Sequence, residues 1–105
     1  IYGIKTCDTM KKARAWLDLT ARRAIDPDVV DSRQIGKHRS DVLRLSQLLS
    51  PDDRIEVAEA IRDDIGSFCR QVILEISPQL LGQLEIVEAP GVVIERVRRY
   101  FGAPK

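Results

Sequence analysis

Residues 31–49, DSRQIGKHRSDVLRLSQLL, carry the pattern on which the fold depends. Mostly apolar side chains recur every three or four residues through this stretch, at Ile35, His38, Val42, Leu45 and Leu49. That spacing is the period of an α-helix and places these side chains on one narrow face. Asp31 and Gln34 stand at the spacing of a capping box at the start of a helix. The stretch therefore predicts a helix that lays an apolar seam on neighbouring helices and leaves Lys37 and Asp41 at its rim.

A second helix is predicted before this one, from Thr9 onward. Its sequence contains no glycine or proline and is rich in good helix formers. The face predicted to be buried consists of Ala13, Trp16 or Leu17, Thr20 and Ala24. The helix is expected to stop before the pair Asp26-Pro27, because the residue before a proline avoids the helical region. Residues 26–30 are therefore predicted to form a loop, with Asp26-Pro27-Asp28 acting as turn residues.

Three further helices are predicted after residue 50. The first spans about residues 58–74, with Gly66 inside it at a cost of about 1 kcal/mol in helix propensity. The second opens at Ser77-Pro78, a cap followed by a first-turn proline, and reaches about residue 84. The third spans about residues 91–101 and is stopped by Gly102 and Pro104. The buried residues predicted for the first and last of these helices are Ile61, Ile65, Phe68, Val72, Val93 or Ile94, Val97 and Phe101.

The N-terminal segment has a different character. Residues 1–4, IYGI, are β-prone and short, so we expect one strand that ends near Lys5. The predicted fold class is therefore mainly α, a small bundle of four or five helices with one short N-terminal strand. Residues 1–105 are expected to form a single helical module, because this length supports one domain.

Composition excludes several classes of function. Hydrophobic residues make up 44% of the chain, which is typical of a globular protein. Seventeen basic residues against 16 acidic ones give a net charge of +1, which argues against a free-standing nucleic-acid-binding domain. Two cysteines and one histidine are too few for a common zinc site, so no metal site is expected. The sequence shows no membrane-spanning run, and the expected location is the cytoplasm.

Cys7 is the first candidate for chemistry. A thiol at the start of a helix, near Lys5, Lys11 and Lys12, is favoured as the thiolate. The segment 1–18, IYGIKTCDTMKKARAWLD, resembles the opening of the arsenate reductase and Spx-like proteins. That resemblance implies a thioredoxin-like fold with Cys7 as the reactive thiol. Such a fold requires further strands, whereas the sequence after the first helix predicts a long helical seam.

A second resemblance covers residues 12–103. Its motifs are KARAWLDLTARR (12–23), VDSRQI (30–35), KHRSDVLRL (37–45), IRDDIGSF (61–68) and VIERVRRYFG (93–102). In order and loop length they are similar to the C-terminal half of the AbiEii/AbiGii nucleotidyltransferase toxins of bacterial toxin–antitoxin systems. The resemblance implies a transferase that moves nucleotides from a nucleoside triphosphate (NTP), in some members to RNA.

The same resemblance assigns roles to three residues. Lys12 matches the family's helix lysine near the triphosphate, and Asp41 matches the carboxylate of the second helical motif, which acts as a base or orients a group. Lys12 and Asp41 are the implied catalytic residues, and Lys12 and Lys37 the implied nucleotide-binding residues. Lys37 and Asp41 are also expected to pair with each other, since they are four residues apart on a helix.

One part of the family's machinery has no counterpart in this sequence. The family's metal-binding aspartates follow a Gly-Ser motif in an N-terminal sheet domain. Here Gly66-Ser67 is predicted to lie within a helix and leads to no paired aspartates. The intact protein is thus expected to use Mg²⁺ and an NTP, with neither held by this chain alone. The expected partners are the missing N-terminal nucleotidyltransferase domain, an antitoxin and RNA, with no membrane.

Three hypotheses follow from the sequence. In the first, the chain is the C-terminal part of an AbiEii-like nucleotidyltransferase and is inactive by itself. In the second, it is a thioredoxin-fold protein that uses Cys7. In the third, it is a helical interaction module without chemistry. The first and third hypotheses both require residues 31–49 to form a helix.

Overall fold

The computed structural model describes residues 4–50 and 52–104, with side chains from Asp8 onward. It contains five α-helices: α1 (Ile4–Ile25), α2 (Ser32–Ser46), α3 (Glu59–Val72), α4 (Pro78–Gln83) and α5 (Pro90–Tyr100). Helix α1 packs against α2 and α3, and α5 packs against α3 and α2. The mainly helical bundle predicted from the sequence is confirmed.

The predicted N-terminal strand is not supported. Residues 1–3 lie outside the described part of the chain, and Ile4, the last residue of the expected strand, begins α1. Residues 4–50 and 52–104 contain helices and connecting segments but no β-strand. A lone strand at Ile4 would leave its backbone groups unpaired, whereas the helix continues through Thr9 and Met10, which are buried. Helix α1 therefore starts five residues before the predicted position.

The core forms where α1, α2, α3 and α5 meet. Trp16 of α1 and Phe68 of α3 pack edge to face, with ring centroids 5.2 Å apart and an interplanar angle of 82°. Both were predicted to be buried, and both are almost completely shielded from solvent. The other large side chains that are fully buried are Leu43, Ile65, Leu81, Val42, Val72, Val93, Val97 and Phe101. Burial of this many apolar side chains is the main favourable contribution to folding.

The ends of three helices follow the local signals in the sequence. Asp31 caps α2, although its carboxylate accepts the backbone N–H of Arg33, at 2.8 Å, where a capping box would use Gln34. Ser77 caps α4 and accepts the N–H of Leu80 at 3.1 Å. Helix α5 ends at Tyr100, and Gly102, two residues later, has a positive φ of 63° that suits glycine, in agreement with the predicted stop.

Two predicted apolar faces need correction. In α1, Ala13 and Trp16 are buried as predicted, but Ala24 is exposed. In α2, Leu43 is fully buried although it lies outside the predicted seam, and Leu45 is only half-buried. The reason for the second difference is that α2 contacts both α1 and α5, so its buried stripe is wider than a single seam.

Candidate functional site

Lys12 and Asp41, the two residues implied to be catalytic, lie together where α1 and α2 pack. The Lys12 Nζ atom is 3.3 Å from Asp41 Oδ2. Their side chains are 34% and 22% exposed, so the pair lies at the edge of the interface, within reach of solvent. Lys12 precedes the buried Ala13, and Asp41 precedes the buried Val42. Packing of these apolar neighbours brings together two side chains that are 29 positions apart in the sequence.

Asp41 has a second cationic partner, Arg44, which was not among the predicted site residues. Arg44 Nη1 lies 3.8 Å from Asp41 Oδ1, an ion pair between residues three apart on α2. Lys37, which was expected to pair with Asp41, is exposed, and the ion pairs that the structure forms at Asp41 are those with Lys12 and Arg44. The spacing of Asp41 and Arg44 is itself a helix-pair signal, so the sequence contained the information needed to find this residue.

His38 adds a titratable group to the same region. It is half-buried, and its Nδ1 atom is shielded from solvent without a hydrogen-bond partner in residues 4–50 and 52–104. The helical period predicts that His38 lies on the apolar seam of α2, and its partial burial agrees with that position. Burial, followed by the positive charge of Lys12, lowers the pKa of His38 from its ordinary value of 6.5, while Asp41 opposes this shift. The imidazole is therefore neutral at neutral pH and retains the capacity to take up a proton.

The two cysteines lie in different settings. Cys7 is the fourth residue of α1, near the helix N-terminus as predicted, and its side chain lies outside the described atoms. Cys69 is buried in the core, and burial raises the pKa of its thiol to about 12. A thiol with such a pKa is almost entirely protonated at neutral pH and is unreactive. The reactivity of Cys7 stays a prediction.

A binding site for Mg²⁺ does not form in the described part of the chain. No group of three or more histidine, cysteine, aspartate or glutamate side chains there has an arrangement that could hold a metal ion. Gly66-Ser67 lies within α3, as predicted, and Asp64 pairs with Arg14 at 2.9 Å between Oδ2 and Nε. Asp26-Pro27-Asp28 forms a turn in which Asp26 Oδ1 accepts the N–H of Asp28. These residues do not fit a magnesium site.

The arginines of α5 are largely neutralised by neighbouring glutamates. Arg96 forms a bidentate ion pair with Glu88, and Arg98 forms a bidentate ion pair with Glu95. The hydrogen bonds from Arg96 hold the pKa of Glu88 below its usual value. Arg99 is exposed. The cationic group around Asp41 is therefore a better candidate for binding an anion than the α5 arginines.

Comparison with known proteins gives no relative from which a role could be transferred. A scan against protein-family models, a search of curated proteins and a search of solved structures each returned no match to this chain. Within residues 4–50 and 52–104, no helix has the length and apolar character required to cross a membrane.

Proposed function

We propose that this chain is the helical part of an AbiEii-like nucleotidyltransferase, in which Lys12 and Lys37 hold the phosphates of an NTP and Asp41 orients or deprotonates the acceptor. The observation that carries the proposal is the Lys12–Asp41 pair. Two residues that the resemblance selected independently, one in each of two sequence motifs, meet at 3.3 Å across the α1–α2 interface.

The charges around Asp41 support an anionic ligand. Lys12 and Arg44 contact this one carboxylate, and Lys37 lies one helical turn from it on α2. A single carboxylate compensates only one of three positive charges. The excess suits a polyanion such as a triphosphate, because phosphoryl transfer relies on cations that hold the phosphates and neutralise developing charge.

The contacts to Asp41 also fix its position. A carboxylate held from two sides by Lys12 and Arg44 has fewer accessible rotamers than a free side chain, which favours a role in orienting a reacting group. His38, neutral and electrostatically coupled to both Lys12 and Asp41, is a nearby acceptor for a proton. Mg²⁺ chemistry would be supplied by the paired aspartates of the family's N-terminal domain, in another part of the intact protein, and the partners expected there are an antitoxin and RNA.

The binding step is tested in the natural full-length protein, labelled with ¹⁵N and titrated with ATP, GTP, CTP and UTP while its backbone amide shifts are followed. We expect saturable shifts centred on residues 12, 37, 41 and 44 for at least one NTP. Lys12→Gln is expected to weaken binding about tenfold, since a charge-assisted hydrogen bond contributes about 1.5–3 kcal/mol. Lys11→Gln is the matched control, because Lys11 is adjacent, exposed and carries the same charge. Equal effects of the two variants, or no saturable shifts for any NTP, would refute the proposal and leave the helical interaction module.

The chemical role of Asp41 is tested in the natural full-length protein. Asp41→Asn removes a negative charge near the phosphates, so NTP binding is expected to be unchanged or tighter. Nucleotide transfer is expected to fall by at least about a hundredfold, the low end of what one acid–base group contributes. Transfer that survives in Asp41→Asn would show that this carboxylate takes no part in the reaction.

A further inference from the structure

A cleft separate from the Lys12–Asp41 pair opens between the C-terminal half of α1, the first half of α2 and the segment after α3. Its volume is about 540 Å³, within the range of small-molecule sites. The residues that line the cleft include Thr20, Arg23, Ile35, Gly36, Arg39 and Glu75. Lys12, Lys37, Asp41 and Arg44 do not line it, so a ligand here would occupy a site of its own.

Arg39 is the principal binding group of the cleft. Its side chain is only 21% exposed, and its Nη1 atom is 3.8 Å from Glu75 Oε1, which is beyond hydrogen-bond distance. Its Nε atom is buried and has no hydrogen-bond partner within the described ranges. A half-buried guanidinium with one distant ion pair retains most of its donors. A buried donor without a hydrogen bond destabilises the fold. A planar anion that accepts hydrogen bonds from two of these donors would remove that destabilisation.

Two further features point to a ligand beside Arg39. The Thr20 Oγ1 atom is also buried and lacks a hydrogen-bond partner in the described part of the chain. Gly36 lies inside α2, where glycine weakens the helix relative to alanine. No crowding requires a glycine there, because a Cβ atom would meet only Arg39 Nη2, at 3.9 Å. Gly36 therefore leaves space next to the guanidinium that a side chain would fill.

The other charges around the cleft favour a carboxylate over a phosphate. Arg23 donates to the backbone carbonyl of Val30 at 2.6 Å, so its guanidinium is partly engaged. The N-terminus of α2, a frequent phosphate site, is already capped by the carboxylate of Asp31. Glu75 adds a further negative charge. One available guanidinium next to Glu75 favours a planar monoanion over a phosphate dianion, because the carboxylate of Glu75 repels the second negative charge.

We propose that this cleft binds a small organic carboxylate. Its two oxygens accept hydrogen bonds from Arg39 in place of the distant contact with Glu75. Its carbon skeleton lies against Ile35 and Gly36, and a hydroxyl group on it pairs with Thr20. The ligand class is thus a compact hydroxycarboxylate or a simple carboxylate. Binding is independent of the NTP site, so each proposal can fail without the other.

The ligand class is tested by titrating the ¹⁵N-labelled chain with L-lactate, acetate, succinate and inorganic phosphate, with NaCl added to keep the ionic strength constant. We expect saturable shifts confined to the cleft, with L-lactate binding more tightly than acetate because of Thr20. Absence of saturable shifts with every carboxylate would overturn the proposal. Tighter binding of phosphate than of all three carboxylates would also overturn it.

The residues are tested with paired variants. Arg39→Gln is expected to weaken L-lactate binding by about tenfold or more, the effect of losing a charge-assisted contact. Arg33→Gln removes the same charge from the same helix, and Arg33 is 90% exposed, so it should change binding less than about twofold. Equal losses of L-lactate affinity in the two variants would mean that the ligand is attracted only by the overall positive charge of the helix, and would refute the proposed site.

Two milder variants keep the proposal testable if Arg39→Gln fails to fold. Glu75→Gln removes the carboxylate that competes for Arg39, so it is expected to tighten L-lactate binding about threefold or more. Gly36→Ala fills the space next to Arg39 and is expected to weaken binding while the chain stays folded. Weaker binding in Glu75→Gln, or unchanged binding in Gly36→Ala, would contradict the proposed placement of the ligand.

Discussion

Helix α1 divides after Leu17 into a longer N-terminal part, called the packed half, and a shorter C-terminal part, called the open half, and the two differ in what covers them. In the packed half, Thr9, Ala13 and Trp16 are shielded by the core formed with α2 and α3. In the open half, Thr20 is half-buried and Ile25 is 87% exposed. The apolar period of the sequence runs through both halves, yet only the first half is packed.

The packed half of α1 therefore holds a side chain in position, and the open half provides polar groups that can bind a ligand. The packed half fixes Lys12 at the edge of the α1–α2 interface. The open half lines the cleft, where the Thr20 hydroxyl and the nearby guanidinium of Arg39 still have hydrogen-bonding capacity. A side chain is held in a precise position only if its helix is packed against the rest of the protein. It can bind a polar ligand only if its own polar atoms are not already hydrogen-bonded within the protein. Helix α1 meets these two requirements at different places along its length.

The largest expected effect comes from breaking the packed half. Trp16→Ala is expected to lower the free energy of unfolding by about 3–5 kcal/mol, because it removes a fully buried ring and its contact with Phe68. The measurement is urea unfolding followed by circular dichroism. Ile25→Ala is the matched control in the open half and is expected to change stability by less than about 0.5 kcal/mol. Similar losses for the two variants would contradict the contrast between the halves.

A smaller effect of opposite sign is expected at the cleft wall. Gly36→Ala should raise the free energy of unfolding by up to about 1 kcal/mol, the difference in helix propensity, since the new Cβ atom meets nothing closer than 3.9 Å. Gly66→Ala is the comparison, because there the Cβ atom would lie 3.2 Å from Pro104 and from Arg70 Nη1. Thermal unfolding should show a gain for Gly36→Ala and no gain, or a loss, for Gly66→Ala. A larger gain at Gly66 would mean that Pro104 does not pack against it.

The helices were predictable because their signals are local. The Ser77-Pro78 start and the Gly102 stop each depend on a few adjacent residues, and both are confirmed. The exposure of Ala24 and the burial of Leu43 were not predictable, since periodicity defines a face but not what covers it. In the sequence, Gly66 is notable only because it lowers helix propensity. In the structure, Pro104, 38 positions away, packs against Gly66.

The candidate sites were predictable to different degrees. The resemblance selected Lys12 and Asp41, and only the fold shows that they meet. Arg44 could have been found from its helical spacing to Asp41. The cleft could not have been found, because Thr20, Arg39 and Glu75 come from three separate segments and share no spacing rule.

The Lys12–Asp41 pair is expected to contribute to function more than to stability. A double-mutant cycle with Lys12→Gln and Asp41→Asn should give a coupling energy between about 0.2 and 1 kcal/mol, typical of an ion pair near solvent. The pair Arg14–Asp64, which joins the packed half of α1 to α3, is the control and is more exposed, at 55% and 39%. Its coupling energy should be smaller, and both coupling energies should fall in 1 M NaCl, where the Debye length is only about 3 Å. A coupling energy well above 1 kcal/mol for Lys12–Asp41 would assign the pair a structural role instead.

The smallest expected effect is a pH dependence of the free energy of unfolding that arises from His38. This residue interacts electrostatically with Lys12, which lies in the packed half of α1. The folded state lowers the pKa of His38 below 6.5, chiefly through burial and then through Lys12, so the unfolded chain binds the proton more readily. The contribution of His38 to stability is therefore fully present above its unfolded pKa and is lost as the pH falls through 6.5 toward the folded pKa. Urea unfolding between about pH 7.5 and about pH 5.5 should show this decline, and His38→Gln should flatten it. Glu88, whose pKa is also lowered from its ordinary value of 4.5, loses its contribution only at lower pH, so it does not mask the effect. An unchanged slope in His38→Gln would show that the half-buried imidazole is not the group that titrates.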